Sequence, residues 1–128
     1  METTQAITAL SALAQATRLD VFRLLVKHEP HGVAAGELAR AVGVPQNTLS
    51  AHLAVLSRAG LVMGERDSRS IIYRANITAF RELTLFMIQD CCGGSAELCG
   101  PLVESLLPCC APQATANPGR SKSAKSRT

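Results

Sequence analysis

The feature that most constrains this chain is a change of periodicity at Gly60. Upstream of that glycine, apolar residues recur at the three- and four-residue spacing of amphipathic helices. Downstream, two short β-prone runs flank Asp67-Ser68-Arg69, which predicts a hairpin, and a last helical stretch follows Asn76. We therefore predict a mainly helical domain in which four helices precede one β-hairpin and a fifth helix follows it.

Capping residues and helix breakers give the predicted bounds of the first four helices. The first covers residues 6–14. Thr17 and Asp20 have the spacing of a capping box, which predicts the start of the second helix there. The third helix covers residues 35–42 and closes at Gly43, and the fourth begins at Pro45 and runs to Arg58.

Composition supports a small helical domain whose basic surface must be local. The 128 residues are 47% apolar but only 3% aromatic, so the core must be built from Leu, Val, Ile and Ala. Residues 1–116 hold 9 basic and 10 acidic side chains, a net charge of −1, and the excess of cations lies in the last twelve residues. Four arginines close together in sequence could form a local patch, namely Arg58, Arg66, Arg69 and Arg74.

The chain shows no sign of membrane insertion or secretion. No apolar run approaches the roughly eighteen residues of a membrane span, and no secretory signal is visible, which predicts a cytoplasmic protein without a membrane partner. Its five cysteines are therefore expected to be thiols. Two adjacent pairs, Cys91–Cys92 and Cys109–Cys110, would make strained bridges, because neighbouring Cα atoms are only about 3.8 Å apart.

This order of elements is that of a winged helix-turn-helix, mainly α with a β-hairpin wing. The helices on either side of Gly43-Val44-Pro45 form the reading unit, and the second of them is expected to enter the major groove of DNA. Three regions follow from this interpretation. They are a winged-helix domain (1–90), a cysteine-containing C-terminal segment (91–110) and a disordered basic tail (111–128).

One face of the fourth helix is predicted to read DNA. Leu49, Leu53 and Leu56 form an apolar stripe that must face the core. The candidate contact residues away from that stripe are Gln46, Asn47, Thr48, Ser50, Ala51, His52 and Arg58. His52 lies at the margin of the stripe, where we expect a half-buried ring that packs or contacts phosphate and does not bind a metal. Arg66 and Arg69 in the hairpin are suited to phosphates or the minor groove.

The last helix predicts a homodimer. Its large apolar residues cover more than one face, and they are Phe80, Leu83, Leu85, Phe86, Met87 and Ile88. A terminal helix that is apolar on two sides needs two packing partners, which we interpret as its own core and a second subunit. We expect dimerisation through the first and last helices.

Residues 16–75 resemble the ArsR/SmtB family of metal- and metalloid-responsive bacterial repressors. The strings that carry the resemblance are Ala16-Thr17-Arg18-Leu19, Glu37-Leu38-Ala39, Thr48-Leu49-Ser50-Ala51-His52-Leu53, Leu56-Ser57-Arg58-Ala59-Gly60-Leu61-Val62 and Ile72-Tyr73-Arg74. The resemblance implies a homodimer on palindromic double-stranded operator DNA that represses its own operon until an inducer binds. Two departures are Pro45, where many relatives have a capping Ser or Thr, and the Asp67-Ser68-Arg69-Ser70 tip, which replaces a Gly-Arg tip.

Two inducer sites of that family lack their ligands here. One places a Cys-x-Cys pair on the short helix before the reading helix, and residues 37–40 contain no cysteine. Another uses Asp and His on the last helix for zinc or nickel. The only histidines of this chain are His28, His31 and His52, all upstream of that helix.

Three cysteines immediately beyond the last helix are the remaining candidates. Thiolates favour soft ions, and As(III) and Sb(III) form pyramidal complexes with three sulfurs, which Cys91, Cys92 and Cys99 can supply. The flexible Gly93-Gly94 pair would allow Cys99 to fold back toward the other two. The resemblance to arsenic-responsive members implies that these three bind the inducer. No cofactor is expected to be required for DNA binding. Cys109 and Cys110 could replace one ligand, form a second dithiol site or have no role, and we favour no essential role.

Other readings of the same residues stay open. The thiols could respond to oxidation, or they could bind Cd(II) or Pb(II), on the same DNA-binding domain. A DNA-independent interaction module is another class. A thiol enzyme such as an arsenate reductase is disfavoured, because one familiar form requires Cys-x5-Arg and no cysteine here is followed by an arginine at that spacing. We expect no enzymatic activity.

Overall fold

The computed structural model describes residues 1–91, 100–101 and 104–105. Residues 1–86 form one compact unit and residues 87–128 form a second. The elements in chain order are α1 (Thr3–Leu13), α2 (Ala16–Lys27), β1 (Val33–Ala34), α3 (Ala35–Val42), α4 (Gln46–Arg58), β2 (Val62–Asp67), β3 (Ser70–Ala75) and α5 (Ile77–Cys91). The predicted mainly helical architecture with a hairpin wing is confirmed. None of the helices in the described residues is long and apolar enough to cross a membrane.

The start of α2 differs from the prediction. The predicted capping box at Thr17 and Asp20 is wrong, because both residues lie inside the helix. The helix is capped by Gln15 instead, whose Oε1 accepts a hydrogen bond from the Arg18 backbone N–H at 2.8 Å. Gln is an unusual N-cap residue. The Thr-x-x-Asp spacing therefore resembles a helix start more closely than Gln15 does, although Gln15 is the residue that caps the helix.

The sheet contains one strand more than the predicted hairpin. The short β1 pairs antiparallel with β3, and the strand order is β1-β3-β2. Within the hairpin, the register runs from Val62 opposite Ala75 to Asp67 opposite Ser70. A two-residue strand carries no periodicity, which is why β1 left no signal in the sequence.

The core lies beneath the helices and the base of the hairpin. Its buried apolar residues come from every helix and strand of residues 1–86, and the largest fully buried side chains are Val21, Leu25, Leu38, Leu49, Leu56 and Leu61. Aromatic residues contribute one tilted ring pair, Phe22 with Phe80 at 5.4 Å between centroids. The expected aliphatic core is confirmed.

Asn76 joins the hairpin to α5. Its Oδ1 accepts the Ala79 backbone N–H at 3.1 Å, so Asn76 caps α5 as predicted. Its side-chain amide donates to the Gly60 carbonyl at 2.9 Å, and its backbone N–H donates to the Leu61 carbonyl at 2.8 Å. These bonds hold the start of β2 beside the start of α5, so the wing projects from a closed base.

Candidate nucleic-acid interface

The turn between α3 and α4 positions the predicted reading helix. Gly43 ends α3 in the left-handed region, with φ of 74°, as its placement in the sequence predicted. The backbone N–H groups of Gly43 and Val44 both donate to the Ala39 carbonyl, at 2.9 and 3.1 Å. Pro45 is the N-cap of α4 and not its first helical residue. Leu38 and Leu49 are both fully buried, one on each helix, which fixes α4 against α3.

The predicted faces of α4 are confirmed. Leu49, Leu53 and Leu56 are buried, with 2% exposure at most. The exposed candidates on α4 are Gln46, Asn47, Thr48, Ser50, Ala51 and Arg58. The Oδ1 of Asn47 accepts the Thr48 backbone N–H at 2.9 Å, which satisfies one of the free donors in the first turn. The helix therefore presents small polar side chains outward, while their contact with DNA stays a prediction.

His52 is half-buried, as expected from its place at the margin of the leucine stripe. Its Nδ1 lies 3.4 Å from Nη1 of Arg18 on α2. Nε of the same arginine donates to the Ala12 carbonyl at 2.6 Å. Sequence reasoning missed Arg18 as a neighbour of the reading helix, because the two residues are thirty-four positions apart and no local pattern links them.

The wing separates its basic and acidic side chains. Arg66 lies opposite Ile71, whereas Glu65 lies opposite Ile72 and Asp67 opposite Ser70. Since successive residues of a strand point to opposite faces, the two acids share one face and Arg66 lies on the other. Residues 63–70 are all exposed. The alternation therefore leaves Arg66 on a face free of the neighbouring carboxylates.

Arg69 lies in the two-residue turn at the tip of the wing. Its turn partner Ser68 has φ of 60°, a region that favours glycine. Both residues are exposed. The turn is tight because Asp67 pairs directly with Ser70, so Arg69 projects from the end of the hairpin. Its predicted role as a DNA contact stays a prediction.

Arg74 does not belong to the basic patch. Its Nη2 lies 2.9 Å from Oε1 of Glu29, which follows α2, and Nε lies 3.4 Å from Oε2. The hydrogen bond from Arg74 to Glu29, together with their attraction, raises the pKa of the guanidinium above its ordinary value. The pair neutralises Arg74 and ties β3 to the end of α2. Arg74 is therefore removed from the four arginines suggested for a local patch, while a patch formed by Arg58, Arg66 and Arg69 stays a prediction.

The predicted inducer cysteines lie at the edge of the described residues. Cys91 is the last residue of α5. Cys92 and Cys99 lie outside the part of the chain that the structure describes, and so do Cys109 and Cys110. Within the described residues, no group of three or more His, Cys, Asp or Glu side chains could hold a metal ion. The three-thiol site stays a prediction, and so do the boundaries of the cysteine segment and the basic tail.

Apolar side chains remain exposed on the two helices predicted to form the subunit interface. On α1, Ile7 is 58% exposed and Leu10 is 41% exposed. On α5, Phe80 and Leu85 are 40% and 44% exposed. Exposed large apolar residues on both helices agree with the predicted dimerisation through them.

Comparison with known proteins places this arrangement in a family. A helix-turn-helix domain model matches residues 13–65. The nodulation protein NolR of Rhizobium meliloti is 41% identical over 70 residues, a match that covers 55% of this chain and 55% of NolR. A solved structure of a possible transcriptional regulator for arsenical resistance is 30% identical, with a TM-score of 0.52, and the match covers 59% of this chain and 76% of that one.

The possible regulator for arsenical resistance, 30% identical with 76% of that chain covered, shows the family. A second solved structure supports this assignment. It is the homodimeric winged helix-turn-helix DNA-binding domain of Mb0332 from Mycobacterium bovis, a possible ArsR-family transcriptional regulator. It is 29% identical with a TM-score of 0.57, and the match covers 66% of this chain and 77% of that one. The chain belongs to the ArsR/SmtB family. The ArsR/SmtB resemblance seen in the sequence is thereby confirmed, and the similarity is to transcriptional regulators and not to enzymes.

Proposed function

We propose that this ArsR/SmtB protein is a homodimeric repressor that binds double-stranded operator DNA and is released when As(III) or Sb(III) binds Cys91, Cys92 and Cys99. The DNA-binding part of this proposal rests on the different exposure of the two sides of α4. Its leucine stripe is buried, and its opposite side is exposed, small and polar beside a protruding wing. A protein that acts on operator DNA works in the cytoplasm, where we place it.

The exposed side of α4 suits the major groove. Ser50 and Ala51 are small enough to let the helix approach base edges closely. Gln46 and Asn47 carry amides that can pair with adenine through two hydrogen bonds, and Thr48 can donate to a base or a phosphate. The first turn also directs backbone N–H groups and the positive end of the helix dipole outward, which favours a phosphate there.

Arginines at the edges of this helix and in the wing would supply affinity. Arg58 ends α4, while Arg66 and Arg69 extend along the hairpin. Guanidinium groups pair with phosphates and enter narrow minor grooves. The cations of residues 117–128 would add attraction that depends on salt and not on sequence.

A homodimer would place two reading helices on one operator. The exposed apolar residues of α1 and α5 support this assembly, and the similar Mb0332 domain is a homodimer. Two-fold symmetry of the protein requires a palindromic operator, with half-sites about one turn of DNA apart.

The proposed inducer site rests on thiol chemistry. Three cysteines within nine residues supply the three sulfurs of a pyramidal As(III) or Sb(III) complex. When arsenite binds, each thiol passes its proton to a hydroxide that leaves arsenic, so three As–S bonds form and three waters are released. The similarity to a possible regulator for arsenical resistance supports this choice over other thiophilic ions.

Release would follow from a shift between two conformations of the dimer. The three-thiol site begins at Cys91, the end of α5, whose apolar residues we assign to the subunit interface. Gathering three sulfurs there would change how the two subunits pack and therefore the spacing of their reading helices. A coupling free energy of about 1–3 kcal/mol is typical of such linked sites.

Fluorescence anisotropy with labelled DNA from upstream of the gene tests both parts. Reduced protein is expected to bind this DNA and to dissociate when arsenite is added at low equivalents. Cys91→Ser/Cys92→Ser should bind with unchanged affinity and ignore arsenite, while Cys109→Ser/Cys110→Ser should behave as the wild type.

Each contrary outcome removes a defined part of the proposal. Absence of binding would remove the repressor function. Binding that ignores arsenite but responds to cadmium or peroxide would replace the inducer by another soft ion or by oxidation. Normal release of the Cys91→Ser/Cys92→Ser variant would show that the thiols were wrongly assigned.

A further inference from the structure

Arg18 connects three helices at the back of the reading helix. Its Nε donates to the Ala12 carbonyl at 2.6 Å, and its Nη1 lies 3.4 Å from Nδ1 of His52. Ala12 is in the last turn of α1, where helix carbonyls have no partner within the helix. The planar guanidinium can serve both groups at once, since its donors point in fixed directions.

The contact with Arg18 selects the tautomer of His52. Arginine has no acceptor and stays protonated, so a ring nitrogen that bonds to it must be the acceptor. A hydrogen bond from Arg18 to Nδ1 of His52 therefore requires the tautomer whose proton lies on Nε2. This arrangement leaves an Nε2–H donor on the reading helix, in a ring whose orientation Arg18 restrains.

Among the residues that the structure describes, none forms an ion pair with Arg18. The described residues contain one ion pair between side chains, Arg74 with Glu29, and no carboxylate lies within ion-pair distance of Arg18. Arg18 is also half-buried and already engaged by Ala12 and His52, so a direct phosphate contact would require it to give up these partners. Its positive charge can still polarise the imidazole toward an anion.

We propose that Arg18 is a positioning residue that presents the Nε2–H of His52 to a DNA phosphate and makes this alignment depend on α1. The inference rests on the proposed function, since it requires α4 to bind DNA. Because Ile7 and Leu10 of α1 are assigned to the subunit interface, Arg18 provides a direct connection from that interface to the reading helix. A shift of α1 would move the guanidinium and with it the imidazole.

A double-mutant cycle in operator affinity tests the positioning role. Arg18→Gln and His52→Ala are each expected to raise the operator Kd at least about tenfold, as for loss of one charge-assisted hydrogen bond. The double variant should bind the operator no more weakly than the single variant with the higher Kd, because both changes remove the same phosphate contact. Arg23→Gln, which removes an exposed arginine from the same helix, should change the Kd less than about twofold.

A measurement without DNA separates this inference from the proposed function. In nitrogen NMR spectra of the free protein at about pH 8, where an ordinary imidazole is neutral, Arg18→Gln should move the His52 Nδ1 resonance toward that of a free acceptor nitrogen. Arg23→Gln should leave it in place. An unmoved Nδ1, or additive losses in the cycle, overturns the inference while the repressor function stands. If the wild type binds no operator, both fall together.

Discussion

The reading helix α4 and the wing form one proposed interface but are held in different ways. Three buried leucines of α4 pack into the core and fix the helix along its whole length. In the hairpin, only the base is buried, at Val62 and Ala75, and residues 63–70 are exposed. The helix is therefore positioned by tertiary packing, whereas the outer wing is positioned by its own strand pairing and turn.

This difference separates stability from affinity. A change on the inner side of α4 should destabilise the protein, because it removes packing shared by several elements. Replacing an exposed arginine of the outer wing should leave folding unaffected and act only on DNA binding, whereas a change at the strained turn residue should alter stability slightly. The following predictions test that separation.

The largest expected effect is at Leu56, which is fully buried on α4. Leu56→Ala should lower the free energy of unfolding by about 2–5 kcal/mol through lost burial and the cavity left behind. Urea unfolding at a fixed protein concentration measures it. The adjacent exposed Ser57→Ala should stay within about 0.5 kcal/mol of the wild type. If Leu56→Ala lowered the free energy of unfolding as little as Ser57→Ala does, packing would not be what fixes α4.

Wing arginines are expected to affect DNA binding alone. Arg66→Ala and Arg69→Ala should each weaken operator binding by about 1–2 kcal/mol. Each should also lower the slope of log K against log salt concentration by about one per subunit, because each arginine is proposed to contact one phosphate. The free energy of unfolding should stay within about 0.5 kcal/mol of the wild type, since both residues are exposed. Anisotropy titrations at several salt concentrations provide the measurement.

Lys27→Ala is the matched control for the wing variants, because Lys27 is an exposed cation at the end of α2, outside the proposed interface. It should change neither the affinity nor the salt dependence appreciably. If it weakened binding as much as the wing variants, the effect would come from net charge and not from phosphate contacts in the wing.

The smallest expected effect is at the wing turn. Ser68→Gly should raise the free energy of unfolding by about 0.5–1 kcal/mol, because glycine adopts the φ of 60° without the cost that a side chain imposes. Thermal unfolding detects such a shift, and Arg69 should retain its contribution to binding. Destabilisation would show that the serine hydroxyl makes a larger contribution than the backbone strain.

Much of the fold could be predicted because its signals are local. The leucine stripe of α4, the stop at Gly43, the cap at Asn76 and the hairpin around Ser68 each follow from neighbouring residues. The predictions failed where two capping patterns competed and where a strand was too short to show a periodicity. Thr17 offered a better capping pattern than Gln15, and β1 has only two residues.

The candidate site could be predicted only in part. Exposure of the predicted α4 residues follows from helical periodicity and is found. The partners of two arginines do not follow from helical periodicity. Arg74 pairs with Glu29 and leaves the basic patch, while Arg18 joins His52 at the reading helix. Both partners are far away in sequence, so no local pattern could indicate them.

The sequence by itself determined the order of elements, the inward face of each helix and the supply of thiols from Cys91 onward. Periodicity and composition are properties of neighbouring residues, so they can be read without coordinates. The tertiary structure alone decided which charges meet, since attraction between ionised groups depends on distance in space. It paired Arg74 with Glu29 and placed Arg18 between α1 and the histidine of the reading helix.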